Sequence, residues 1–201
     1  MIYLDNGATT VQKPKSVAKA VYDVLNSGQY GNPSRGAYPI AVNANELVYQ
    51  TREKVAELFN VPDSSLVVFT KNITEALNTV IKGYLKPGDH VIATMYDHNS
   101  VLRPIYQMER YQVSHSFVPL DSQTNLVDLS AVESLIQPNT KMMVCTHASN
   151  VIGNTVDIKK LATICHRHHV ILVVDAAQTA GVLPIDMEKL GVDVLCFTGH
   201  K

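Results

Sequence analysis

Neither sign of charge is in excess in this chain. Seventeen Lys and Arg stand against eighteen Asp and Glu. That balance leaves no electrostatic footprint for nucleic acid or an anionic membrane, so any ligand is selected locally. Long apolar runs are missing as well: none approaches the roughly 20 residues a spanning helix needs. The opening MIYLDNGATT has no basic stretch followed by an apolar one, and a cytoplasmic protein is expected. Cysteine is scarce. Cys145, Cys165 and Cys196 show no paired spacing, and two of them fall inside apolar runs that read as strands. They are expected to be small buried hydrophobes without disulfides. With no repeat, low-complexity tract or linker, residues 1–201 read as one domain, or part of one. What is there suits a packed core: 201 residues, 46% apolar and 17% charged, ordinary values for a globular α/β or α+β chain.

The apolar residues change period along the chain. Val17, Val21, Val24 and Leu25 share one helical face between Lys15 and Leu25, with Gly28 placed as a C-cap. From Ile40 to Phe59, the spacing of Ala44, Leu47, Val48, Val55, Leu58 and Phe59 predicts a longer amphipathic helix. Beyond it come short runs rich in valine and isoleucine: LVVFT, HVIATM, VSHSFVPL, KMMVCTH, VILVVD and DVLCFT. Helix-like stretches alternate with them over 74–82, 100–109, 130–136, 157–168 and 185–190. Strands apolar on both faces, alternating with helices, predict an α/β fold with a mostly parallel sheet covered by helices on both sides.

Ligands of such sheets bind beyond the carboxyl ends of the strands. Each run here ends in polar residues: Thr70-Lys71-Asn72-Ile73-Thr74, Asp97-His98-Asn99, Thr146-His147-Ala148-Ser149-Asn150, Asp175-Ala176-Ala177-Gln178 and Thr198-Gly199-His200-Lys201. Asp175 closes the apolar run VILVVD, so its carboxylate should be desolvated and in need of a cation. Lys201 lies at another strand end, where an amine can become a nucleophile. A buried carboxylate with a nucleophilic lysine suits pyridoxal phosphate, which bonds a lysine through its aldehyde and needs an acid at its ring nitrogen. Ile73 and Thr74 open a helix, and its free amides and the Thr74 hydroxyl would meet a phosphate, with Thr198 and His200 approaching from the Lys201 loop.

DNGATT, GNPS, ITEALN, DHNSVLRP, SNVIGN, VDAAQTAG and VDVLCFTGHK together resemble, in order and over the whole chain, the cysteine desulfurase and selenocysteine lyase branch of the class V aminotransferases. The resemblance implies the large, cofactor-binding domain of a fold type I pyridoxal-phosphate enzyme, whose reaction removes sulfur or selenium from cysteine or selenocysteine and leaves L-alanine. It implies that Lys201 carries the cofactor covalently, that Asp175 pairs with the ring nitrogen, and that Gln178 bonds the phenolic oxygen. It further implies that His98 stacks on the ring and moves protons, that Ile73, Thr74, Thr198 and His200 hold the phosphate, and that Asn150 lies near the phenolic oxygen and the substrate carboxylate. Gly7 and Ala8 would line the substrate entrance, with Gly7 standing where alanine is common. Full-length relatives of this kind imply a homodimer, a small amino-acid substrate and a sulfur-acceptor protein.

In the resembling family the chain continues past the lysine for roughly as many residues again, opening with a glycine-rich turn. That portion carries the sulfur-accepting cysteine, an arginine for the substrate carboxylate, a phosphate contact lent to the partner subunit, the small domain, and a strand lying between LVVFT and DVLCFT. Cys145, Cys165 and Cys196 match none of these positions. The resemblance therefore implies a truncated form lacking the catalytic cysteine. Another class V transamination or β-lyase activity, or a non-catalytic binding or assembly module, is the alternative.

Plainer roles stay open for the same residues. Asp175 and Thr74 could cap helices, His98 could be satisfied by local backbone, Gln178 could be a surface residue, and Asn150 and Thr198 could serve turns. The run Cys165-His166-Arg167-His168-His169 invites a metal reading. Cationic residues near a helix C-terminus complement its dipole, and ligands so close in sequence cannot all face one ion, so no metal is expected.

Overall fold

A computed structural model describes residues 2–201. The chain divides after Phe69 into two compact units. In the first, α1 (Lys15–Ser27) ends at Gly28 in the left-handed region, with φ 62°. Its apolar stripe is uncovered: Val17, Val21 and Leu25 are all exposed. Pro39 opens α2 (Pro39–Phe59) at a position where its missing N–H is no loss, and Asn60 closes it in the left-handed region. The buried stripe of α2 is Ala41, Ala44, Ala56 and Phe59, whereas Leu47 and Leu58 are exposed. The helix is thus turned toward its alanines, a rotation of the face expected from the leucines. Gly31 sits where its amide reaches Ile40 O at 2.8 Å. A Cβ there would lie 3.3 Å from the Ile40 side chain, so the close approach favours glycine.

LVVFT does not form a strand. Residues 64–66 make a short 3₁₀ turn capped by Asp63, and Val67 is extended. No ladder partner meets residues 67–70 among the described residues. Leu66, Val68 and Phe69 are exposed instead, because a β conformation persists only where its N–H and C=O groups are paired.

The second unit is built on five strands, β1 (His90–Thr94), β2 (Ser114–Val118), β3 (Thr140–Thr146), β4 (Ile171–Asp175) and β5 (Val194–Cys196). Their order is β2-β1-β3-β4-β5, with every pairing parallel. Alternate residues go to opposite faces. Ile92, Met143, Cys145, Leu172 and Val174 enter one core with α6 (Ile158–Arg167) and α5 (Val132–Leu135). Val91, Ala93, Met142, Val144, Val173 and Cys196 enter the other with α3 (Ile73–Tyr84) and α4 (Asn99–Met108). Both faces are covered, as the doubly apolar runs predict.

Two helices are shorter than their periodicity predicts. Over 130–136 only α5 forms, because Asp128 takes the amide and hydroxyl of Ser130 into a side-chain turn. Over 185–190, Asp186 caps the chain by accepting from Lys189 N, so α7 (Met187–Leu190) begins late. It ends at Gly191 with φ 72°, where a Cβ would meet Ala162 Cβ at 3.0 Å; both the dihedral and the packing call for glycine there.

Candidate functional site

The register aligns Thr146 with Asp175 and Asp175 with Cys196, so the loops that follow β1, β3, β4 and β5 leave from one edge of the sheet. Asp175 is 3% exposed. Its Oδ1 accepts from Ala177 N at 2.9 Å, which fixes the carboxyl within its own turn rather than at a helix start. Burial pushes its pKa above the ordinary carboxylate value, and the Ala177 amide, His98 and Lys201 pull it back. His98 and Lys201 are therefore the cationic groups that act on this carboxyl, and neither makes an ion pair with it among the described residues. These three residues, named together from the sequence, interact electrostatically at the edge of the sheet.

His98 is the N-cap of α4. Its Nδ1 accepts from Ser100 N at 3.1 Å, with Ser100 Oγ at 2.9 Å. A backbone N–H can only donate, so Nδ1 presents its lone pair and the neutral ring carries its proton on Nε2. The local backbone contact leaves the residue exposed.

Gln178, half-buried, rides the turn after β4. Ala176 N bonds Cys196 O at 2.8 Å, and Thr179 and Ala180 amides return to Ala176 O. Buried Thr179 meets His147 Nδ1 at 2.9 Å, which ties the Gln178 turn to the end of β3. His147 was not among the expected site residues; its position directly after a strand was the available signal. Asn150 is exposed in a turn whose ends are joined by Ser149 N to Asn154 O at 3.0 Å and Gly153 N to Ser149 O at 3.0 Å.

Thr74 does not cap α3. Asn72 does, accepting from Glu75 N at 2.9 Å, while Glu75 Oε2 accepts from Lys71 N at 2.6 Å. The first intrahelical acceptance is Ala76 N to Asn72 O, leaving the Ile73 and Thr74 amides and the exposed Thr74 hydroxyl at the open end of the helix. Ile73 packs on the core that contains Cys196. Thr198 is half-buried, His200 exposed and Lys201 half-buried, in line after β5. Gly7 and Ala8 belong to the first unit, in a turn closed by Ala8 N to Asp5 O at 3.1 Å.

A second buried carboxyl lies at this edge. Asp97 is 6% exposed and accepts at Oδ2 from Thr94 N at 2.6 Å and Thr94 Oγ1 at 2.8 Å. Burial pushes it up to about 7, with the charge of Asp175 adding to the rise and the Thr94 and Thr146 amides opposing it. Its place beside His98 in DHNS was visible in the sequence, but nothing in the pattern distinguished a buried acid from a turn residue.

All three cysteines are free and buried. Burial pushes the Cys145 thiol well above its ordinary value and Cys165 and Cys196 up to about 12. The run around Cys165 disperses: His166 Nε2 meets Asp193 at 3.1 Å, while His168 and Arg167 meet Glu133 at 2.9 and 3.3 Å.

The family model for Aminotransferase class-V matches residues 2–201. Two proteins named cysteine desulfurase IscS are similar in sequence. That of Vibrio campbellii is 36% identical over 204 residues, covering 100% of this chain and 50% of the relative. That of Edwardsiella ictaluri is 37% identical over 207 residues, with the same coverage. Among solved structures, the apo cysteine desulfurase from Thermococcus onnurineus superposes with a TM-score of 0.90 at 33% identity, over 100% of this chain and 50% of that one. A C-DES mutant with glycine covalently linked to its PLP cofactor gives a TM-score of 0.83 at 26% identity, over 98% of this chain and 52% of that one. The chain thus spans about half the length of the relatives it matches.

Proposed function

Because this chain belongs to the class V aminotransferase family, we propose that residues 1–201 form the cofactor-binding large domain of a pyridoxal-phosphate enzyme of cysteine desulfurase type. The observation that carries this reading is Asp175: a carboxyl buried at a strand end, opposed only by its own turn amide and by His98 and Lys201. The donor set fits the cofactor. An anionic partner for a ring nitrogen, a lysine beside it and an open helix terminus for a phosphate all belong to the same sheet unit.

When bound, pyridoxal phosphate supplies an aldehyde that condenses with amines and a cationic ring that accepts electrons from the substrate's α carbon. Lys201 is the residue that bonds it. Asp175 accepts the ring N–H and, being desolvated, holds that proton more firmly than a solvated carboxylate would. Ile73 and Thr74 donate to the phosphate from the end of α3, where the helix dipole favours an anion; Thr198 and His200 add donors from the Lys201 loop. Gln178 donates to the phenolic oxygen from a turn that His147 and Thr179 immobilise. His98 would stack on the ring with its Nε2 proton available to donate, while Nδ1 is held by Ser100 N and faces Ser100 Oγ at 2.9 Å. Asn150 would contact the substrate.

The substrate is L-cysteine or selenocysteine and the product L-alanine, in a homodimeric full-length form that passes sulfur to an acceptor protein. The relatives' names, cysteine desulfurase, support cysteine as the substrate. The thiol that first takes the sulfur is none of Cys145, Cys165 and Cys196, whose raised pKa values keep them protonated.

Incubating the protein with pyridoxal phosphate, reducing with borohydride and mapping the peptides tests the assignment. The label is expected on Lys201 and absent from Lys201→Ala; label on a different lysine overturns it.

A further inference from the structure

Two carboxyls are buried at neighbouring places on the carboxyl edge of the sheet, and the reading above uses one. Asp175 ends β4, in register with Thr146 at the end of β3. Asp97 follows β1, which lies on the other side of β3. Its two oxygens are unequal: Oδ2 takes both Thr94 donors, whereas Oδ1 is buried without a hydrogen bond of ordinary geometry among the described residues, the Thr146 amide being the weakest of the groups that act on the carboxyl. Resting on the reading of Asp175 as the cofactor's counter-ion, we propose that Asp97 is a positioning residue that stays protonated on Oδ1 while Asp175 carries the site's negative charge, and that its clamp on Thr94 holds the turn presenting His98.

The placement of the proton follows from the bonds. An oxygen that accepts two hydrogen bonds is stabilised as an acceptor; an unpartnered buried oxygen is where a proton relieves an otherwise costly charge. The placement of the charge follows from the neighbours. Two adjacent buried carboxyls cannot both ionise cheaply. Asp175 has the Ala177 amide, His98 and Lys201 acting on it. Asp97 has no cation acting on it, and its rise to about 7 agrees with the geometry. The remaining titratable groups facing the pair are the Cys145 thiol from β3 and the Cys196 thiol from β5, which burial keeps neutral. A neutral Asp97 leaves Asp175 as the one anion available to a cationic ring. An ionised Asp97 would compete for that cation and raise Asp175 further.

The clamp has a second effect. Thr94 is the last residue of β1 and His98 the cap of α4, so the carboxyl of Asp97 closes the turn between them; Asp97 N itself bonds Thr94 O at 3.1 Å.

Carboxyl ¹³C NMR titration of the cofactor-free protein tests the charge assignment, and its outcome is independent of whether Lys201 takes the cofactor. Asp97 is expected to titrate near neutrality, and its midpoint to fall in Asp175→Asn, where the neighbouring charge is gone. Asp97→Asn replaces a neutral acid with a neutral amide that can still accept from Thr94, so the Asp175 midpoint should stay in place. An Asp97 midpoint in the ordinary carboxylate range, or an Asp175 midpoint that drops in Asp97→Asn, overturns the assignment. Imidazole ¹⁵N shifts report the clamp. In Asp97→Ala the Nδ1 and Nε2 shifts of His98 should move toward a mixed tautomer while Asp97→Asn retains the wild-type pattern; unchanged shifts in Asp97→Ala overturn the clamp. If Asp97→Ala does not fold, Thr94→Val, which keeps the side-chain shape and loses the hydroxyl bond, gives the same readout.

Discussion

The two ends of the same sheet bury polar side chains in opposite ways. At the amino end, His90 is fully buried. Its Nδ1 meets Thr140 Oγ1 at 2.8 Å and its Nε2 meets Ser116 Oγ at 3.0 Å. Thr140 Oγ1 also accepts from Gln137 N, so the hydroxyl that meets the ring is itself held in place. Every ring atom that can bond does. At the carboxyl end, Asp97 leaves one oxygen bare, and the carboxyl of Asp175 has only its turn amide as a hydrogen-bond partner to offset its burial. Satisfied polar groups hold a sheet together; unsatisfied ones retain free energy for something that binds. The difference accords with the proposed site at the carboxyl end of the sheet.

The strongest break in this comparison is Asp175→Asn. Turnover of the active protein should fall about 10²–10³-fold, the scale of losing one organised electrostatic partner. Its melting temperature should hold or rise, since a raised pKa marks a carboxylate that burial disfavours. Wild-type turnover, or a large loss of stability, would contradict the assignment. The converse experiment is His90→Ala. It creates a cavity and strips partners from Thr140 and Ser116, and should cost about 2–4 kcal/mol in chemical denaturation. Labelling of Lys201 by pyridoxal phosphate and borohydride should be unaffected while the protein is folded.

Acid and base act on the two ends in opposite directions. The folded form holds a proton on Asp97 up to about pH 7 that the unfolded chain releases near its ordinary 3.8. That contribution is complete below the unfolded value and is lost as pH rises from there to about 7. Asp97→Asn should flatten this fall, gaining a few kcal/mol relative to wild type above neutrality, measured by urea denaturation across pH. For His90, burial and neighbouring His115 hold the imidazole below its ordinary 6.5. The unfolded chain takes up the proton first, so stability falls as pH drops below 6.5. His90→Gln should remove that slope, measured by urea denaturation across the same pH range. The smallest test concerns the open end of α3: Asn72→Ala should cost about 1 kcal/mol through the lost cap and Thr74→Ala less, because Asn72 is the cap.

All five parallel strands, α2, α3, α4 and α6 were legible because their apolar residues repeat at the period of the element that buries them. LVVFT has the same composition and is not a strand, since pairing depends on a neighbour and composition does not report one. The leucines of α2 misled for a related reason: Leu47 and Leu58 lie on an apolar stripe, but Ala41 and Ala44 are the residues buried. Asp175, His98 and Lys201 could be read at their strand ends. Asp97, His147 and the His98 tautomer could not, because each depends on a hydrogen bond to a residue fixed only by folding: Thr94, Thr179 and Ser100.

The all-parallel register also governs how the sheet unit forms. No pair of adjacent strands is joined by a hairpin. Even the shortest crossover, from Asp175 to Val194, passes through a turn and α7 before β5 can pair with β4. The first ladder to form must therefore close a long loop before any strand-to-strand bond offsets the lost chain entropy. Such non-local pairing is expected to slow the folding of this unit relative to a helical domain of its size, and to leave apolar strand edges open to other chains until the sheet is complete.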